Sequence, residues 1–160
     1  MKLIRSSKAR FVFEISAQEK HLLFEVLSVY PLVPPTHHRL NKSSQRNSRD
    51  ENQRLLEESL VSQRKENQKL VTRLLNKSEI FETAADGFRF TLTRAEIETL
   101  LQALNDVRVG SWIALGSPDL EERPQLAINE KTARHIWAME LAGEFEMLFL
   151  SSVDGRDSAG

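Results

Sequence analysis

The chain has no cysteine, six glycines, one tyrosine and no uncharged apolar run near the roughly 18 residues that a membrane span requires. The first absence excludes disulfides, thiolate metal sites and a cysteine nucleophile. It fits a reducing compartment, and a cytoplasmic location is expected. The scarcity of glycine goes with the lack of a glycine-rich phosphate loop, and neither HExxH nor GxSxG occurs. No excess of charge is present either: 22 Lys and Arg stand against 23 Asp and Glu, a net charge of −1. Such a chain projects no global field toward nucleic acid or a membrane surface. The opening MKLIRSSKARFVFEI has no continuous apolar core and no small-residue cleavage site, so no secretory signal is expected.

What remains is an ordinary globular composition, with 40% apolar and 28% charged residues over 160 positions. That length fits one domain with a real core. A single helical domain is expected over residues 1–153, with a basic loop rich in Pro, Ser and Asn at 31–48 and a disordered tail at 154–160.

A quiet internal repeat organises the chain. Phe11, Phe13 and Ile15 alternate as in a strand, and Ser16 with Glu19 then opens a helix. Phe88, Phe90 and Leu92 repeat the alternation before Thr93 and Glu96. Both openings are capping boxes, in which the hydroxyl accepts a first-turn N–H and the glutamate accepts the N–H of the cap. Each fixes a helix start and contributes about 1 kcal/mol. Two short strands in an otherwise helical chain need partners, so they are expected to pair with each other as a minor two-stranded β-ribbon. Convergent capping explains the repeat better than duplication of a fold.

Four helices follow from periodicity: 17–30, 49–76, 93–115 and 129–153. The second carries Leu56, Leu60, Leu70 and Leu74 at 4-then-3 spacing if Gln63 and Asn67 fill the seam, yet residues 62–69 contain no apolar side chain. It either runs through solvent, as one helix or as two with a break near residue 63, or docks a partner across a polar seam. The third has a stripe of Ile97, Leu100, Leu101, Leu104, Val107, Trp112 and Leu115, with Arg108 inside it, while Val109 and Ile113 take the opposite face. The fourth has a stripe of Ala133, Trp137, Leu141, Phe145 and Leu148, with Glu144 within it and Glu140 on its edge. Met139, Met147 and Leu150 fall off that stripe, so the helix is apolar on more than one side. A mainly α fold follows: a small bundle of about four helices with the minor ribbon, forming a homodimer through its two-sided helices.

Arg108 cannot lose its charge, so inside a stripe it must find a carboxylate or several carbonyls. A buried ion pair with Glu144 is expected, and Glu140 is the second choice. Its role is structural.

Other chemistry is thin. Adjacent His37 and His38 have no further ligand at metal spacing. His135 with Glu140 and Glu144 shares a helix face only in part. No metal, cofactor or enzymatic activity is expected. Residues 36–54 hold five Arg or Lys and two Asp or Glu, with Arg39, Lys42, Arg46 and Arg49 as a candidate nucleic-acid patch. No aromatic stacking platform accompanies them, and a charge run of this kind more often marks a solvated loop.

The block ALNDVRVGSWIALGS at 103–117 resembles the leucine-asparagine-aspartate-x-arginine segment of a mainly actinobacterial, all-helical family of unknown function. The resemblance spans about residues 50–152: a long charged helix precedes the block, and Ile136-Trp137 opens the helix after it. From Val109 on the chain departs from that family, which more often has leucine-alanine-leucine-glycine directly after the arginine. The resemblance implies an all-helical cytoplasmic protein with no known reaction, encoded near the protease adaptor ClpS, and so a link to protein turnover. The expected function is a non-enzymatic protein-interaction or regulatory module with an unidentified protein partner and no membrane span. The alternative is a nucleic-acid-associated regulator that uses residues 36–54.

Overall fold

The alternation at Phe11, Phe13 and Ile15 builds a strand with one dry face, since all three are buried at 1% exposure or less. A computed structural model of the chain describes residues 1–7, 9–33, 46–76, 80–119 and 127–154. Its elements in order are β1 (Lys2–Ser6), β2 (Arg10–Ile15), α1 (Ala17–Ser28), α2 (Arg46–Leu75), β3 (Glu82–Ala84), β4 (Gly87–Thr93), α3 (Arg94–Ala114) and α4 (Glu130–Asp154).

Strands β2 and β4 pair antiparallel, with Phe13 opposite Phe90. The two-stranded ribbon is nevertheless corrected. The sheet has four antiparallel strands in the order β1-β2-β4-β3, so the fold combines a sheet with helices and is not all-helical. Strand β1 escapes a pattern search because it is an edge: four of its five residues are exposed and it shows no alternation. Strand β3 has three residues, and Ala85-Asp86 join it to β4 as a tight hairpin. At Gly87 (φ +149°) a Cβ would lie 2.3 Å from the Ile15 carbonyl oxygen, so no side chain fits where β4 meets β2.

The helices cover one face of the sheet. Phe13 stacks on Phe90 at 5.3 Å between ring centroids and meets Phe149 of α4 edge-on at 5.4 Å. Leu23, Val26 and Leu27 of α1, Leu70, Val71 and Leu74 of α2, and Ile97, Leu100, Leu104 and Val107 of α3 complete one contiguous core.

Both capping boxes form. The Ser16 hydroxyl accepts the Glu19 N–H (3.2 Å) and Glu19 accepts the Ser16 N–H (2.9 Å). Thr93 and Glu96 repeat this at 3.2 and 2.8 Å. Helix α3 ends in a Schellman motif: Ser117 N–H donates to Trp112 O, and Gly116 N–H, at φ +87°, donates to Ile113 O, each at 3.0 Å.

Helix α2 is continuous for 30 residues, about 45 Å at 1.5 Å per residue. Among its described side chains, Asn67, Leu70, Val71 and Leu74 are buried, whereas Leu55 and Val61 are exposed. Its buried residues lie in the C-terminal third, against α1 and α3, while Leu56, Leu60 and Arg64 of the turns before it are half-buried.

Candidate functional site

Residues 103–117 form the C-terminal half of α3 and its cap, and the two charged side chains there, Asp106 and Arg108, each hold neighbours. Asp106 accepts the backbone N–H of Leu32 at 2.6 Å and of Val33 at 3.1 Å. Arg64 of α2 donates to the Val33 carbonyl and stands 3.6 Å from Asp106. The segment after α1 is thereby clamped between α2 and α3. Gly110 makes room for it, because a Cβ there would meet Leu32 Cβ at 2.6 Å. Beside the clamp, Tyr30, Gln63, Asn67 and Gln102 line a cavity of about 270 Å³. Burial pushes the Tyr30 hydroxyl above its ordinary pKa, and the Asp106 charge adds to this, while Asn67 and Arg64 oppose it.

Arg108 turns the other way. Its Nη2 donates to Asn105 at 2.9 Å and its Nε lies 3.2 Å from Glu146 Oε2. The expected burial and the expected partner are therefore corrected: the Arg108 side chain is 48% exposed, and its carboxylate comes from Glu146, which is buried. Glu144 and Glu140 are exposed, and neither forms an ion pair with a described residue. The buried stripe of α3 is centred on Ala103, Val107 and Gly110, which puts Arg108 on its rim. In α4 the buried face is Ala138, Met139, Ala142, Phe145, Glu146 and Phe149, so the stripe through Trp137 is corrected as well; Trp137 is exposed. A signal for Glu146 existed. It continues the row Ala138, Ala142 at four-residue spacing, and small residues in a row mark where two helices approach closely. Burial pushes the Glu146 carboxyl above the usual carboxylate range, and the Arg108 charge opposes that shift.

Between α3 and α4, on the side away from the sheet, lies an open groove of about 600 Å³. Val109 and Trp112 form its α3 wall, and Met139, Gly143, Met147 and Leu150 its α4 wall, with Arg108, Glu140, Glu144 and Glu146 among the lining. The Trp112 indole N–H donates to the Pro118 carbonyl at 3.1 Å, which fixes that ring in the wall. Met147 is 69% exposed and Leu150 46%.

The remaining candidates contribute no geometry. His37, His38, Arg39 and Lys42 lie outside the described residues. Arg46 and Arg49 stand in the first turns of α2, and their side chains also lie outside the described set. Among the described residues no three His, Asp or Glu side chains converge as a metal site, and no helix is long and apolar enough to cross a membrane. Comparisons of the chain with protein-family models, with curated proteins and with solved structures return no match.

Proposed function

We propose that the protein is a non-enzymatic, cytoplasmic interaction module that receives a helix in the α3/α4 groove. One observation carries this reading: α4 has a second apolar seam. Ala138, Ala142, Phe145 and Phe149 face the core, whereas Met139, Gly143, Met147 and Leu150 line the groove and Ile136 continues their row, at 3-4-4-3 spacing. That is the spacing of a helix-packing seam. Met139 is buried, but Met147 and Leu150 in register with it are exposed, and exposed apolar surface of this kind marks docking sites. Gly143 lies mid-seam, where a Cβ would meet only Arg108 Cδ at 3.9 Å, and so leaves room for close approach. The homodimer expected from the sequence would use this same face. The nucleic-acid reading ranks below it, since the net charge is −1 and residues 36–54 contain no aromatic side chain to stack on a base. A link to protein turnover rests on the family resemblance alone.

The test uses a synthetic helical peptide with a leucine seam and uncharged glutamine flanks. In a Trp137→Phe background Trp112 is the one tryptophan left, and it reports from the groove wall. At chain concentrations that sediment as monomer, the peptide should shift Trp112 emission saturably, and Met147→Glu should abolish the shift. No response in the parent chain, or an equal response in Met147→Glu, contradicts the reading.

A further inference from the structure

The flanks of the groove are chemically unequal. At about 100° per residue, Glu140 and Glu144 lie together on the side of the α4 seam away from α3, one turn apart, so their Cβ atoms are about 6 Å from each other. Both are exposed and form no ion pair with a described residue. On the other flank, Glu146 is matched by Arg108. Among the described residues the groove thus carries three carboxylates against one guanidinium, a surplus of two negative charges on one edge of an apolar trough. From Ile136 to Leu150 the seam is 15 residues, about 22 Å.

We infer that the occupant is a basic amphipathic helix of a partner protein. Its apolar stripe fills the trough over Gly143, and two Lys or Arg one turn apart face Glu140 and Glu144. This inference rests on the interaction reading and names the partner's chemistry. A second copy of this chain fits less well, because it brings the same surplus of carboxylates to the interface and like charges meeting there are unfavourable. An apolar-faced helix in a groove with charged rims is an established recognition mode, and rim charges set which partner is accepted more than how tightly it binds.

The experiment compares two peptides with the same leucine seam, one with lysine flanks and one with glutamate flanks, by Trp112 emission in the Trp137→Phe chain. The lysine peptide should bind about tenfold tighter at low salt, with the gap closing as salt screens the rim. The double variant Glu140→Lys with Glu144→Lys should reverse the order. Both positions are exposed and form no ion pair with a described residue, and melting of the variant checks that it folds. Equal affinity for both peptides, or an order unchanged in the double variant, overturns the basic partner and leaves the interaction reading standing. A chain that sediments as a dimer at tens of micromolar, and as a monomer after Met147→Glu, also overturns it, since a second copy is then the occupant. If the glutamine-flanked peptide and both charged peptides fail to bind and the chain is a monomer, the interaction reading itself falls.

Discussion

Asp106→Ala removes the clamp on the segment after α1. In the native protein Asp106 accepts two backbone N–H groups, Leu32 at 2.6 Å and Val33 at 3.1 Å. Its side chain is 14% exposed and stands 3.6 Å from Arg64. A hydrogen bond to a charged group contributes about 1.5–3 kcal/mol. Water reaches the adjoining cavity in part, so the lower end applies to each bond, and the two together contribute about 3 kcal/mol. The Arg64 contact, long and partly solvated, adds under about 1 kcal/mol. Asp106→Asn keeps an oxygen for the two N–H groups and loses the charge, and it should cost about half as much as the alanine variant. Urea denaturation measures the loss, with an unchanged slope showing that the unfolded state is the same. Amide hydrogen exchange locates it: the Leu32 and Val33 amides should lose protection more than those of the core strands. A cost under about 0.5 kcal/mol for Asp106→Ala, or a large cost with Leu32 and Val33 still protected, would refute the reasoning.

Three further outcomes are expected. Gly110→Ala should destabilise by about 2 kcal/mol although alanine is the better helix former, because its methyl would sit 2.6 Å from Leu32 Cβ; adding Leu32→Ala should not recover that loss in the same thermal melt, because alanine keeps the Cβ, and full recovery would count against the contact. Lys20→Met should lose about 1 kcal/mol, since the Lys20 ammonium lies over the Phe88, Phe81 and Phe24 rings at 3.7, 4.4 and 5.6 Å; Lys20→Arg should retain most of it, and equal melting of Lys20→Met and the parent would count against the contact. The Glu146 carboxyl is raised by burial, so the folded state binds its proton more tightly than the unfolded state, and stability falls as pH rises from about 4.3 through the folded value. Glu96 behaves in the opposite sense. Burial raises its carboxyl, but the Thr93 N–H, Arg73 and the Thr93 hydroxyl together bring it below the ordinary value, so its stabilisation is present above about pH 4.3 and is lost as pH falls. Denaturation across pH 3–8 should show the Glu146 slope disappear in Glu146→Gln and the Glu96 slope disappear in Glu96→Gln; survival of either slope removes that assignment.

Local chemistry was legible in the sequence where a residue acts within one turn of the chain. The two capping boxes, the alternating strands at Phe11 and Phe88 and the approximate span of each helix belong to this class. Features decided by distant neighbours were hidden. Strand β1 is held by its pairing with β2, the Lys2–Glu14 ion pair and the contact of Leu3 with the core, and it shows no apolar period. Ala103, Gly110 and Ser111 are fully packed although small residues add almost nothing to an apolar stripe, and that silence rotated the apparent face of α3 until Arg108 fell inside it. The same rotation in α4 drew attention to Glu144 and away from Glu146. The two-sided apolar character of α4 was visible from Met139, Met147 and Leu150, whereas the groove they line with Trp112 needed the crossing of two helices.

The central claim is that the outward seam of α4 receives a helix, and a titration of Trp112 emission tests it most directly. The lysine-flanked peptide should give a saturable shift in the Trp137→Phe chain and none once Met147→Glu is added, while both forms melt at the same temperature, because Met147 is 69% exposed and holds no part of the core. The same shift in both forms, or none in either, would contradict the account.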